Sequence, residues 1–390
     1  MNFEYSNLFL IFSSKKIKFK LKHQQYDVII LDESFSELIS KYILRGIKCF
    51  IFKQRPEVYE FDIMSAIRTI LFFFPLLFNN NCNFQSIGTL IRCEIIKSIN
   101  PKIIITMIDN QVKLYNISLR LPTIACIQIQ NALRTNWELK RNKIKPVYYY
   151  ALGNDTIRKF KKIQPNQAPF KFKSAGSLRL SIAKTLDCFN SVKLKYDILY
   201  ISQLSDNIIN NKNGDLFLPQ KKLMKSFSLY VKQYCNDKKI GILLRTNSEL
   251  ENEVFKLYFK KEDIINRDTS DPLISFSYLK SSRLVIGWFS TLLFEAASMG
   301  VKILRIDYSE NKNTFNDYEK FVLFNPSNGE LFYTLNKLIG ISKDEYIHKN
   351  RKYINEIVDH RKTHELIYND ISFYIKNNRF NDDWLSSELH

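Results

Sequence analysis

Three features of the sequence predict an α/β chain of two doubly wound domains. Apolar runs of about five residues, the kind that fill strands buried on both faces of a parallel sheet, alternate with stretches of helical period. The alternation breaks near the middle, in a basic and weakly periodic segment, and then resumes. At 390 residues the chain is long enough for two such units, because single cores rarely grow past about 250–300 residues.

In the first half, YDVIIL (Tyr26–Leu31) reads as a buried strand, followed by a helical pattern over Ser34–Arg45 and a strand at Ile47–Lys53. A helix over Ser86–Asn100 is stopped by Pro101, which cannot donate to the ladder of turns. Strand Lys102–Ile108, helix Val112–Leu119, strand Thr123–Ile129 and a short strand at Pro146–Ala151 complete the alternation. The segment 154–191 reads as a domain connection carrying a strand or two. The second half repeats the scheme with strands at Asp197–Ser202, Ile240–Leu244, Leu284–Gly287 and Lys302–Ile306, and helices that include Lys221–Cys235 and Leu292–Met299. From Lys343 the pattern is helical and charged. The predicted division is 1–180, 181–345, and terminal helices over 346–390 that pack back on the first domain.

Hydrophobic residues make 45% of the chain and aromatics 14%, which excludes a disordered or collagen-like protein. The six cysteines show no CxxC spacing and sit mostly in apolar runs, as reduced core thiols do, which implies a cytosolic compartment. The longest apolar run, Ile70–Phe78, contains Pro75 and falls well short of the ~20 residues of a membrane span.

Absent motifs narrow the chemistry. No GxxxxGK[ST] and no GxGxxG opens either half, which disfavours a P-loop hydrolase and a dinucleotide oxidoreductase. No G-x-S-x-G elbow is present, nor an Asp-x-Asp pair to hold a divalent ion against a diphosphate. His360 and His364 have ligand-like spacing but lie in the charged run VDHRKTHE, which reads as a solvated face. No metal and no cofactor is expected.

The segment SSRLVIGWFSTLLFEAASMGVKILRI (Ser281–Ile306) reads strand, turn, helix, Gly stop, strand. Ser290 or Thr291 is a natural N-cap, Glu295 falls in the first turns, and Gly300 ends the helix. Such a turn gathers hydroxyls and free N–H groups at the carboxyl end of a strand, where a phosphate docks without a glycine-rich loop. A two-domain α/β chain with a hydroxyl-rich turn and a Glu-bearing helix, GWFSTLLFEAASMG, resembles bacterial glycosyltransferases of the GT-B fold that build surface polysaccharide. The likeness is to the surface carbohydrate biosynthesis proteins of capsule and lipopolysaccharide loci, and covers about residues 196–310. It implies two Rossmann-like domains facing across a cleft, with a nucleotide-sugar donor in the C-terminal one. Ser290, Thr291 and Glu295 would then face the donor's phosphate and ribose. Arg245, just past a strand in ILLRTNSELENEVFKLYF with Glu249 at the head of the next helix, would pair with donor phosphate.

In the first half, IITMIDNQ and TIACIQIQNALR should place two strand ends side by side at the cleft. Asp109, the carboxylate at these tips, is the expected general base that takes the acceptor hydroxyl's proton. Asn110, Gln130, Asn131 and Arg134 would orient acceptor or donor sugar. Gly176–Arg179 is a weaker candidate to reach the cleft, and no Gly-rich loop follows the first strand, where LDESFSE stands.

The net charge of +19 favours an anionic partner. Lys16, Lys18, Lys20 and Lys22 alternate with apolar residues, and further cations cluster at Lys140–Lys145, Arg158–Lys162 and Lys171–Lys173. These suit peripheral binding to the inner face of the plasma membrane, beside a lipid-linked or polysaccharide acceptor. The resulting expectation is a metal-independent glycosyltransferase. Its donor is a CMP-linked acidic sugar or a UDP, GDP or TDP sugar. The alternatives are a non-catalytic GT-B-like subunit that binds sugar nucleotide or polysaccharide, and a nucleic-acid-binding protein. Against the last, the aromatics lie in apolar runs and no RNA- or DNA-binding signature appears.

Overall fold

The structure, a computed structural model, describes residues 16–20, 25–33, 35–52, 58–62, 84–109, 113–134, 148–163, 171–186, 189, 192–211, 214–268, 270–309, 319–381 and 384. Strands β1 (Lys16–Lys20) and β4 (Val58–Asp62) pair in parallel as a small separate sheet. The lysine-rich alternation is therefore a strand up to Lys20, and Lys22 lies outside the described residues.

The first domain is built on β2 (Val28–Leu31), β3 (Cys49–Phe52), β5 (Ile103–Thr106), β6 (Ala125–Ile129), β7 (Tyr148–Ala151) and β8 (Lys171–Ser174). They form one wholly parallel sheet in the order β3-β2-β5-β6-β7-β8. VIIL, IIIT and ACIQI are buried at every position, as strands with helices on both faces must be. The covering helices are α1 (Ser36–Leu38), which runs on as a π-helical turn through Ile43, α2 (Phe84–Ile99), α3 (Lys113–Arg120), α4 (Asn154–Ile163) and α5 (Leu178–Ala183). Asn100, at φ 53°, ends α2 in the left-handed conformation just before Pro101.

The second domain holds β9 (Tyr196–Ile201), β10 (Ile240–Leu243), β11 (Ile264–Ile265), β12 (Ser282–Gly287), β13 (Lys302–Asp307) and β14 (Val322–Phe324). This sheet is also wholly parallel, ordered β11-β10-β9-β12-β13-β14. Its helices are α6 (Asp206–Asn210), α7 (Phe217–Tyr234), α8 (Glu249–Lys256), α9 (Ile274–Lys280), α10 (Thr291–Ser298) and α11 (Asn328–Gly340). Two terminal helices follow, α12 (Lys343–Ile357) and α13 (Thr363–Asn377). Together the sheets and helices form two doubly wound domains.

The predicted connection over 154–191 is more ordered than its composition suggests. It carries α4, β8 and α5, and β8 is the last strand of the first sheet. In α4 only Thr156, Ile157 and Phe160 are buried. So narrow an apolar stripe is hidden in sequence by the surrounding RKFKK.

Helix α12 packs on α4 and α10, and α13 packs on α5 and the π-helical turn. The Lys173 ammonium donates to both Asp370 oxygens at 3.0 and 2.9 Å, and the Tyr150 hydroxyl adds a bond of 2.7 Å. The turn between α12 and α13 lies so close to Gly176 (φ 90°) that a Cβ there would meet the Asp359 carbonyl oxygen at 2.6 Å. The two histidines bridge opposite sides of this junction. His360 contacts Ser298 of α10 at 3.1 Å, and His364 contacts Ser181 of α5 at 2.7 Å. His364 is 2% exposed, which corrects the expectation of a solvated face: α5 covers it. Among the described residues no group of His, Cys, Asp and Glu is arranged to hold a metal ion. Among them too, no helix is long and apolar enough to cross a membrane. Cys49, Cys93, Cys126 and Cys235 are free thiols, and burial pushes those of Cys93 and Cys235 up to about 11.

Burial lowers the pKa of His364; Glu365 opposes the shift, and Arg45 and Lys362 reinforce it. The unfolded chain therefore binds the proton first, so this contribution to stability is complete above the unfolded value of ~6.5 and is lost as pH falls below it through the lowered pKa of the folded state. Urea denaturation between pH 8 and 5 should show stability declining on the acid side. The decline should be shallower in His364→Asn; an identical profile would remove His364 from the account.

Candidate functional site

In an open parallel sheet the loops at the carboxyl ends part where the strand order reverses, leaving a crevice. The reversal lies between β2 and β5 in the first domain and between β9 and β12 in the second. Asp32 and Met107–Asp109 follow the first pair of strands, and Ser202–Gln203 and Trp288–Thr291 follow the second.

On the second domain, Ser290 caps α10 by accepting from the Leu292 N–H at 3.3 Å. Gln203 ties the neighbouring tips together: its side-chain oxygen accepts from the Phe289 N–H at 2.7 Å, and its carbonyl accepts from Arg245 Nη1 at 3.0 Å. The loop after β10 is organised around Glu251, which is fully buried. Its carboxylate accepts from the hydroxyls of Ser202 and Thr246 and from the N–H groups of Arg245, Thr246 and Asn247. Glu249, singled out in the sequence, begins α8, but the organising carboxylate lies two residues on.

Arg267, beyond the edge strand β11, closes this group. Its guanidinium donates to the Arg245 carbonyl at 2.7 Å and to the Ser275 hydroxyl at 2.6 Å. Burial, then the like charge of Arg179, holds its pKa below the ordinary value; Arg245 adds to this and Glu251 opposes it. Arg245 and Arg267 are thus fixed by neutral acceptors, and neither forms an ion pair among the described residues. Two like charges beside a single buried carboxylate, Glu251, leave a net positive charge that an anion can join.

On the first domain, Asp109 was the expected general base. It is fully buried, and both carboxylate oxygens receive donors: Arg134 binds Oδ1 and, at 2.8 Å, Oδ2, while the Tyr149 hydroxyl donates to Oδ2 at 2.9 Å. This is the geometry of a carboxylate that holds an arginine. Gln130 is equally committed. It donates to the Ala132 carbonyl and accepts from the Leu152 N–H, both at 2.8 Å, so it shapes its own loop. Asn131 is half-buried within that loop. Asn110 lies outside the described residues.

The two sets of expected residues meet. The Leu133 N–H donates to Thr291 Oγ1 at 2.9 Å across the domains. The Ser177 hydroxyl donates to Glu295 Oε1, and Arg179 stands 3.5 Å from Oε2. Gly176–Arg179 does reach the crevice, and the buried Glu295 is occupied by it. Sequence reasoning passed over Asp32, which is 8% exposed at the tip of β2 with φ 134°. A non-glycine residue there is strained, and such strain concentrates at functional sites. The only sequence signal was an acidic LDE where a glycine-rich loop often stands.

No family model matches the chain, and no curated protein matches it in sequence. Solved structures do resemble it. A variant of the wall teichoic acid polymerase TagF superposes with a TM-score of 0.54 at 12% identity, covering 91% of each chain. The S. aureus MnaA–UDP co-structure gives 0.53 at 12%, covering 93% of this chain and 96% of that one. A crystal structure of a putative UDP-N-acetylglucosamine 2-epimerase from Listeria monocytogenes gives 0.55 at 13%, with the same coverage. The chain is similar to these proteins in its whole two-domain architecture, and that architecture is the GT-B fold.

Proposed function

We propose that the protein is a glycosyltransferase. It moves a sugar from a nucleotide-activated donor to a surface polysaccharide or lipid-linked glycan. The observation that carries this reading is the hydrogen bond from Leu133 to Thr291, which brings the first domain's loop against the hydroxyl-rich turn of the second. A donor held at that turn has its anomeric carbon facing the other domain, where an acceptor approaches. Arg245 and Arg267, with Arg179 from the opposite side, supply the positive charge for the donor's phosphates. Ser290 and the first turn of α10 add N–H groups and the positive helix end. Thr291 and Glu295 become available to ribose or phosphate as the domains part. Asp109 acts as a positioning residue for Arg134, and Asn131 lies on the acceptor side. Asp32 is the second carboxylate at these tips and a candidate base.

A second reading is a sugar-nucleotide epimerase, favoured by the likeness to epimerase structures. Both readings need the same donor site. The product separates them, since transfer joins the sugar to an acceptor and epimerisation leaves it on the nucleotide. On the membrane side, Lys161 and Lys162 are exposed at the end of α4. We place this face against anionic lipid at the inner surface of the plasma membrane.

A thermal-shift screen with CMP, CDP, UDP, GDP and TDP tests the donor site. A nucleotide at ~100 times its dissociation constant adds about 2.7 kcal/mol of stability. One nucleotide should stabilise the protein selectively, and Arg245→Ala/Arg267→Ala should abolish the effect. Stabilisation by none of the five would sink the reading.

The role given to Asp109 makes its own prediction. Asp109→Asn and Arg134→Met should each cost about 3–5 kcal/mol by stranding a buried charge, and the double variant less than either sum. Additive costs in urea denaturation would show that the pair is not coupled.

Vesicle co-sedimentation tests the membrane face. Binding to phosphatidylglycerol vesicles should weaken in Lys161→Glu/Lys162→Glu and with added salt. Equal binding by wild type and variant would reject this placement.

A further inference from the structure

A cavity of about 570 Å³ opens at the amino ends of the first domain's strands, opposite the crevice. Its size falls within the ~300–1,000 Å³ typical of small-molecule sites. The floor is rigid: the Asp27 N–H bonds the Lys48 carbonyl at 3.0 Å, and the Lys102 N–H bonds the Asp27 carbonyl at 2.9 Å. Tyr26 and Tyr374 line it, each backed by another aromatic, Phe50 at 5.4 Å and Phe380 at 4.6 Å between ring centroids. Asn100 and Asn378 stand at the rim, both in the left-handed conformation at φ 53° that closes α2 and α13.

Among the described residues Asp27, Lys48, Asn100 and Asn378 make no side-chain hydrogen bond or ion pair, although all four line one space. Their groups combine acceptors and donors: a carboxylate, an ammonium and two amides. The charges around the cavity nearly balance. Both α2 and α13 finish here, so the cavity receives carbonyl oxygens and the negative ends of two helices. One of those carbonyls, Ile375, already takes the Lys102 ammonium at 2.6 Å. Asp27 and the two helix ends, each about half a negative charge, offset Lys48 and Lys102, so the lining favours neither an anion nor a cation. A neutral ring bearing several hydroxyls satisfies it, giving its O–H groups to carbonyls and carboxylate, accepting from amides and Lys48, and laying its C–H face on tyrosine.

We propose that this cavity is a saccharide-binding site for a mono- or disaccharide unit of a neutral glycan, remote from the inter-domain crevice. The inference stands on the cavity alone and does not require the transferase reading.

Saturation-transfer NMR on the full chain, with maltose, cellobiose, lactose and diacetylchitobiose at millimolar concentration, tests it. At least one sugar should show transfer, unchanged by added CDP or UDP and retained in Arg245→Ala/Arg267→Ala. Asp27→Ala and Asn378→Gly should each weaken binding about fivefold at unchanged melting temperature. Glycine accepts the φ of Asn378 without strain. Should Asp27→Ala fail to fold, Lys48→Ala, at an exposed position, replaces it. Absence of transfer from all four sugars would overturn the proposal. So would full binding in the variants, or displacement by nucleotide, which would assign the sugar to the crevice.

Discussion

Glu295 is a carboxylate without solvent exposure, placed where the two domains meet, and its partners come from the other domain. Burying a charge costs several kcal/mol unless donors replace its water. The Ser177 hydroxyl replaces it at Oε1, and the Arg179 charge 3.5 Å from Oε2 compensates the other oxygen, only while α5 rests against α10. If the domains part, water reclaims the carboxylate, so opening forfeits little electrostatic energy. The junction is thus held by bonds that solvent or a ligand hydroxyl can replace, a property suited to a cleft that admits a substrate. The Leu133–Thr291 bond shares this character, since a backbone N–H and a hydroxyl both hydrate readily.

Of the buried cations among the described residues, Lys302 is held by the Ile339 and Ile341 carbonyls without an ion pair, and three others are neutralised. Arg134 is held by Asp109, Arg305 by Asp307 and Lys173 by Asp370, each within a short ion pair. Those pairs sit at strand tips and helix contacts, where a fixed geometry is needed and no charge is left over. Arg245, which is exposed, and Arg267, which is half-buried, are held instead by carbonyls and a hydroxyl.

Much of the fold was legible because parallel strands buried on both faces need unbroken apolar runs. VIIL, IIIT and ACIQI announce themselves in this way. Helix α4 did not, since one buried stripe of three residues cannot outweigh four neighbouring cations. The site was legible where local chemistry defines it: Ser290 as a cap, Gly300 (φ 77°) as a stop, Arg245 at a strand end. It was obscure where long-range contacts define it. Asp109 stands 25 residues before Arg134 and Glu295 118 after Ser177, and no short pattern encodes either pairing. Arg267 looked like one charge among several in NRD, and only the fold brings it to Arg245.

The two edges of a doubly wound sheet are chemically unlike. At the carboxyl edge, loops lead into helix N-termini, so N–H groups and positive helix ends accumulate, here with Arg179, Arg245 and Arg267. At the amino edge, helices finish and their carbonyls collect, here where α2 and α13 end next to Asn100 and Asn378. The first edge is suited to phosphates and the second to hydroxyls. On the proposed readings, one parallel architecture gives a charged donor and a neutral glycan separate places on the same chain. The separation needs no special device, because chain direction alone sets the sign of each edge.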